Sequence, residues 1–243
     1  MTLIFYFGFL MFQPKYIDFK NSRIERQRYN DNLVYNAIKT NNITELYKII
    51  NNKELDKILN ELNLTLNELI NLCIENDIMN KILSGRISKC ASRQGNLDET
   101  IQLSIINQLT INYNIHIDKS NVIDYIPMED GSIIKKDINK IDKKSLKSFD
   151  AKVSGNINGF IFAKIVYGNG GHQDNVFEEA NNLCEWIIKF HKNKDTTFIL
   201  IIDTDLITKI NKLIDKYKHI SNIIISNHYD FQKFIISNYQ VNT

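Results

Sequence analysis

Residues 148–180 read SFDAKVSGNINGFIFAKIVYGNGGHQDNVFEEA, and the fold turns on them. Two apolar-rich runs, 148–153 and 160–167, flank Ser154-Gly155-Asn156-Ile157-Asn158-Gly159, which has the composition of a hairpin turn. Centred on Ile157, that hairpin sets Asp150 opposite Lys164 and Lys152 opposite Phe162. Side chains alternate along a strand, so all four share one face. A Gly-rich loop over 168–171 then opens a helix predicted for 174–190.

Downstream, residues 198–202 form a continuous apolar run, expected of a strand buried on both faces. A helix over 206–217, a strand at 223–225 and a terminal helix follow, and residues 131–135 form a short upstream strand. Upstream of the sheet the period is helical. Leu33, Ala37 and Ile38, then Leu46, Ile49 and Ile50, then Leu55, Ile58, Leu59 and Leu62 recur at helix spacing. Thr65 with Glu68 is a capping box, and 96–109 carries a stripe of Leu97, Ile101, Ile105 and Leu109. The expected class is α/β: a mixed central sheet with a β-meander flanked by helices, preceded by a helical N-terminal region. Its divisions are an extension over 1–22, a helical region over 23–110 and a sheet-bearing core over 111–243.

The composition sets outer limits. The 243 residues hold 30 Lys+Arg against 28 Asp+Glu, a net charge of +2, so no globally basic surface argues for DNA binding. Nine Gly and two Pro exclude collagen-like and Pro-rich classes. Cys73, Cys90 and Cys184 are too scattered for a disulfide framework or a Cys-based zinc site, and fit a reducing, cytoplasmic compartment. The apolar run 3–12 is shorter than the roughly 20 residues a bilayer crossing needs. It also lacks the marks of a secretory signal. Translation starting at Met11 is the preferred reading, with a packed element or a membrane anchor as the alternatives.

An acid and two lysines on one face of a central hairpin are costly to bury unpaired. Two readings follow. One is a metal-binding carboxylate beside a lysine that faces developing negative charge or activates water. The other is a surface salt bridge on a half-exposed sheet. A second acid comes from the helix after the loop. Glu178 follows Asn175 by three residues, so a capping box accounts for it. Glu179 lies about a quarter-turn from the buried stripe of Val176, Ala180, Leu183, Cys184 and Ile187, at ~100° per residue, and can look past its edge towards the sheet.

The block GNGGHQDNVFEEA, with SRQGNLDE at 92–99, resembles the type II restriction endonucleases of the PD-(D/E)XK nuclease superfamily, over roughly the last 150 residues. In that family one acid precedes a strand carrying acid-x-Lys, and the acids hold magnesium. The resemblance makes Asp150 the first acid and Lys164 the lysine, and it turns the sheet into a nuclease core. Phe162 stands where the second acid belongs, a departure from the pattern. Some members carry that acid on the following helix. Thirteen residues separate Lys164 from Glu178 and fourteen separate it from Glu179. Family spacing favours Glu178 and the helical wheel favours Glu179. A second register takes Asp150-Ala151-Lys152 as acid-x-Lys, with Glu129 or Asp130 as the earlier acid. The family places a helix after the lysine strand, which favours Lys164 over Lys152.

Arg93 and Gln94 can pair bidentately with guanine and adenine edges. His172, Gln173 and Asn175 sit at a helix start beside glycines that let backbone approach a phosphate. A loop with a helix cap explains those three equally well. Lys135, Lys136, Lys140, Lys143, Lys144 and Lys147, with Arg23, Arg26 and Arg28, either neutralise phosphates or form a solvated face. The histidines show no paired metal spacing, and Asp203-Thr204-Asp205 reads as a helix N-cap with one spare acid. The resemblance implies a Mg2+-dependent, sequence-specific endonuclease acting on double-stranded DNA as a homodimer, with a companion DNA methyltransferase in the same system. A non-catalytic DNA-binding protein and a repair or recombination nuclease are the rival readings.

Overall fold

The computed structural model describes residues 13–50, 52–91, 95–119, 123–137, 146–168, 172–192 and 194–241, without the side chains of 52, 54, 89–91, 95–96, 123–124, 136–137 and 172–174. The chain forms two compact units, residues 18–96 and residues 1–17 with 97–243. The boundary falls at Asn96 rather than at 110, because the helix before it belongs with the sheet.

The first unit is helical. It contains α1 (Phe19–Lys39), α2 (Ile43–Ile49), α3 (Asn52–Leu62), α4 (Leu66–Glu75) and α5 (Asp77–Ala91). Val34, Ala37, Ile38, Leu46, Leu55, Leu69, Cys73 and Ile87 fill its core. The capping box forms as expected: Glu68 N–H donates to Thr65 Oγ1, and Thr65 N–H donates to the Glu68 carboxylate.

The second unit is a mixed α/β sandwich. Helix α6 (Gly95–Thr110) leads to β1 (Ile115–Lys119), then β2 (Ile123–Pro127) and β3 (Ile133–Asp137). After them come β4 (Ala151–Gly155), β5 (Gly159–Val166), α7 (His172–His191), β6 (Thr197–Thr204), α8 (Ile207–Tyr217), β7 (Ile223–Ser226) and α9 (His228–Asn238). The five-stranded sheet has the order β1-β4-β5-β6-β7. Strands β1, β4 and β5 run antiparallel as a meander, and β5, β6 and β7 run parallel. Helices α6 and α9 cover one face through Leu103, Ile106, Phe231 and Ile235. Helices α7 and α8 cover the other through Leu183, Ile187, Ile210 and Leu213. Strand β6, buried from Phe198 to Asp203, is the doubly covered strand that its apolar run demands.

Strands β1 and β2 escape the sequence reading. β1 shows only Ile115 and Ile117 inward with His116 and Asp118 outward, too short an alternation to stand out. β2 and β3 form a two-stranded sheet of their own, a hairpin inserted between β1 and β4 that also meets the approach to β4 through the Tyr125–Phe149 bridge. That hairpin is pinned to α7, where Trp186 Nε1 donates to the Met128 carbonyl at 2.6 Å and His191 Nε2 donates to that of Gly131 at 2.8 Å.

The hairpin of β4 and β5 closes two residues tighter than expected, with Val153 opposite Gly159 and Lys152 opposite Phe160. Ile157 is buried in the connection, and the Asn156 N–H donates to the Asn114 carbonyl at 2.8 Å. Only glycine fits at 159, where a Cβ would lie 1.7 Å from the Thr197 carbonyl oxygen. A slip of two residues preserves both faces, whereas a slip of one would exchange them. No helix among the described residues is long and apolar enough to cross a membrane.

Candidate active site

At the carboxyl end of the parallel strands, three charged side chains meet. Lys164, near the end of β5, places Nζ 3.1 Å from Glu99 Oε1 and 3.3 Å from both Asp150 oxygens. Its third direction is taken by the Ala163 carbonyl at 2.8 Å. An ammonium has three donors, and here all three are met. Asp150 stands where the chain enters β4. Its N–H donates to the Ile161 carbonyl at 2.8 Å, and its Oδ2 accepts from the Ala163 N–H at 2.8 Å. The carboxylate thus continues the ladder past the strand end. Glu99 arrives from near the start of α6, as its fifth residue. The tighter hairpin moves Asp150 two positions from its expected partner, about 7 Å along the strand. The long lysine stem spans that offset, so the expected Asp150–Lys164 pair forms nonetheless.

The cluster is largely closed to solvent, with side-chain exposures of 12% for Lys164, 21% for Glu99 and 22% for Asp150. Burial pushes both carboxyls above the usual carboxylate range, and Lys164 opposes the rise without cancelling it. For Lys164, burial works against the charge. The two carboxylates outweigh it and hold the ammonium above the ordinary lysine value. Exposed Lys147 also favours the ionised form of both acids. Two acids share one buried cation, so the cluster carries a surplus negative charge.

The remaining candidates fall elsewhere. Phe162 is fully buried among the α7 and α8 contacts, with its ring 5.0 Å from Lys164 Nζ. Among the described residues, the carboxylates touching Lys164 are those of Glu99 and Asp150, and neither Glu178 nor Glu179 joins them. Glu178 is exposed and Glu179 half-buried, as the helical wheel requires. Helix α7 begins at His172, so Asn175 lies inside its first turn and does not cap it as expected. Asn175 is exposed. The side chains of His172 and Gln173, and all of Arg93 and Gln94, lie outside the described residues, as do Lys140, Lys143 and Lys144. Lys152 is exposed with its ammonium 6.0 Å from the Tyr125 ring, while Asp130 accepts from Ser132 in the β2–β3 turn.

Neither Asp203 nor Asp205 caps α8 as expected; Leu206 precedes that helix, its N–H donating to Thr204 Oγ1 at 3.0 Å. Asp205 instead accepts from the Gly168 N–H at 2.9 Å and holds the loop after β5. Asp203 is buried and receives His228 Nδ1–H at 2.6 Å and Gln102 Nε2–H at 2.5 Å.

Glu99 is the residue that sequence reasoning missed. The buried residues of α6 are Asp98, Gln102, Leu103, Ile105, Ile106, Leu109 and Thr110; of the expected stripe Ile105 and Leu109 are buried, Ile101 is half-buried and Leu97 is exposed. The buried face thus keeps Ile105 and Leu109 of the expected stripe and is turned towards Leu103 and Ile106 at its start. Glu99 precedes Leu103 by four residues and Ile106 by seven, so the rotation brings it onto the inward face. An acid in register with a buried stripe was the available signal.

Searches of protein-family models, curated proteins and solved structures find no match to this chain. The site therefore rests on its own geometry. Two carboxylates and a backbone carbonyl around one point are hard oxygen donors, the set that magnesium takes along with several waters. The residues present fit such an ion.

Proposed function

We propose that this chain is a magnesium-dependent endonuclease of the PD-(D/E)XK kind, cutting double-stranded DNA at a short specific sequence. One observation carries the reading: Asp150 and Lys164, from neighbouring strands, converge with a second acid at the carboxyl end of the parallel strands. Ligand sites of open α/β sheets lie at that end. The order of elements supports it, since a helix follows the lysine strand and then a parallel strand, as the resemblance requires. In this reading the second acid is Glu99 of α6, not Glu178 or Glu179 of α7.

Asp150 and Glu99 would hold the metal, Asp150 fixed by the Ala163 N–H and Glu99 by its place near the start of α6. A bound magnesium ion supplies Lewis acidity, polarising the phosphodiester and stabilising the leaving oxygen. Lys164, as an ammonium, orients the attacking water and faces the charge that grows on the phosphorus oxygens. Symmetric DNA sites favour a two-fold homodimer, and a DNA methyltransferase would protect the host sequence.

The test is incubation of purified protein with plasmid DNA and Mg2+. Discrete fragments are expected, and their sequenced ends give the recognition site. Failure to cut with any divalent metal overturns the enzyme reading and leaves DNA binding alone; progressive degradation points to repair. Lys164→Ala should abolish cleavage while DNA binding persists. The same change at Lys152 decides between the two registers.

A further inference from the structure

The Lys164 ammonium occupies the ground a metal ion would need. It touches both carboxylates at once, 3.1 Å from Glu99 and 3.3 Å from Asp150, and donates to the Ala163 carbonyl as well. A divalent ion seated between the same oxygens would lie within a few ångströms of this cation, in a pocket where solvent screens little. Like charges at that range repel strongly, so ammonium and metal exclude one another.

We propose that Lys164 is the resident counter-ion of the site and must leave the carboxylates before a divalent cation takes them. The inference rests on reading Asp150 and Glu99 as the metal-binding acids. Several features fit a lysine that serves twice. Its stem is long and flexible, so Nζ swings without moving β5. Phe162, in the position next but one, offers an apolar flank and no competing charge, with its ring centroid 5.0 Å from Nζ. An acid there would bind the ammonium a third time. Without metal, the ammonium keeps two buried acids from facing each other uncompensated and ties α6 to β4 and β5.

The test titrates Mn2+ into the full-length chain, following free ion by electron paramagnetic resonance. Lys164→Gln keeps an amide able to donate to both carboxylates but drops the charge. It should bind Mn2+ about tenfold more tightly than the wild type, or better, since removing one adjacent positive charge is worth at least one decade. Adding Asp150→Asn to that variant should erase the gain. If Lys164→Gln binds Mn2+ no better than wild type while Asp150→Asn still weakens wild-type binding, the counter-ion role is overturned and the metal site stands. If neither protein binds Mn2+, both fall. A second measurement needs no variant. Mass-spectrometric reductive methylation of the wild type should show Lys164 protected without metal and several-fold more reactive in saturating Mg2+. Unchanged protection under saturation overturns the proposal.

Discussion

The Asp203 carboxylate accepts the Nδ1–H of His228 at 2.6 Å, and the opposite ring nitrogen, Nε2, accepts the N–H of Ile17 at 3.1 Å. This fixes the tautomer, because a nitrogen that accepts from an amide carries no proton. The pair is buried and joins four parts of one unit. Asp203 belongs to β6 and His228 opens α9. Gln102 of α6 donates to the other Asp203 oxygen, and residues 15–17 run across α9, with Lys15 and Gln232 exchanging backbone and amide hydrogen bonds. Gln102 sits one turn beyond Glu99, so the network holds the helix that delivers the second acid to Lys164.

Asp203→Leu leaves the His228 Nδ1–H without its acceptor inside the core and leaves the Gln102 amide only the Lys164 carbonyl at 3.5 Å. Stranding one buried donor and weakening the contact of another costs about 1–3 kcal/mol of folding stability. Urea unfolding measures the loss directly. Asp203→Asn keeps an acceptor for the imidazole and should lose less. A change below about 1 kcal/mol for the leucine variant would mean that the network contributes nothing net.

Glu99→Gln should separate stability from activity. Burial raises the Glu99 carboxyl above its value in the unfolded chain, so keeping it ionised at neutral pH costs stability. A glutamine is neutral at every pH and relieves the surplus negative charge around Lys164. The variant is expected to melt at the same temperature or higher while cutting DNA roughly 10²-fold more slowly, in the range seen when a charged catalytic-site group is removed. A drop in melting temperature, or cleavage at the wild-type rate, contradicts the assignment.

How much of this was written in the sequence differs between elements. Strand β6 announces itself because a strand covered on both faces needs an unbroken apolar run, and residues 198–202 supply one. The Asp150–Lys164 pair was also legible. The hairpin register was misjudged by two residues, and an even slip leaves every side chain on its face. The rotation of α6 was not legible. Leu97, Ile101 and Ile105 make as good a stripe on paper as Leu103 and Ile106. Ile105 is buried as well, but packing against the sheet centres the face on Leu103 and Ile106 and turns Glu99 inward. The β2–β3 insertion was hidden for a related reason, since a two-stranded hairpin outside the main sheet carries a weak alternation.

His191 makes the stability of the fold sensitive to acid. Its Nε2–H donates to the Gly131 carbonyl at 2.8 Å, while buried Nδ1 has no hydrogen-bond partner among the described residues and the ring packs against Trp186 and Phe198. Burial lowers this imidazole below the ordinary histidine range, and the Gly131 contact resists only in part. As pH falls through about 6.5 the unfolded chain takes up a proton before the folded one does. The stability from the neutral ring is therefore present above that value and lost as pH falls through the folded one. His191→Gln removes the titration, so its unfolding free energy should fall less than the wild type's between pH 7.5 and 5. Parallel pH profiles for the two proteins would exclude His191 as the sensor.

On the proposed function, exposed Lys147 is a candidate to meet the DNA backbone beside the site. It precedes Asp150 by three residues and favours the ionised form of both Asp150 and Glu99, so its field reaches the point where a phosphodiester would lie. An exposed lysine contributes little to folding, and Lys147→Ala should leave the melting temperature unchanged. A lysine that touches a phosphate releases about one counterion on binding, so the slope of log K against log salt should fall by about 0.9. Because phosphates carry no base identity, the loss of affinity should be the same for cognate and mixed-sequence duplexes. Fluorescence anisotropy over a salt series, with Ca2+ in place of Mg2+ to prevent cutting, measures both quantities. A loss confined to the cognate duplex would make Lys147 a base reader, and an unchanged slope would remove it from the DNA surface.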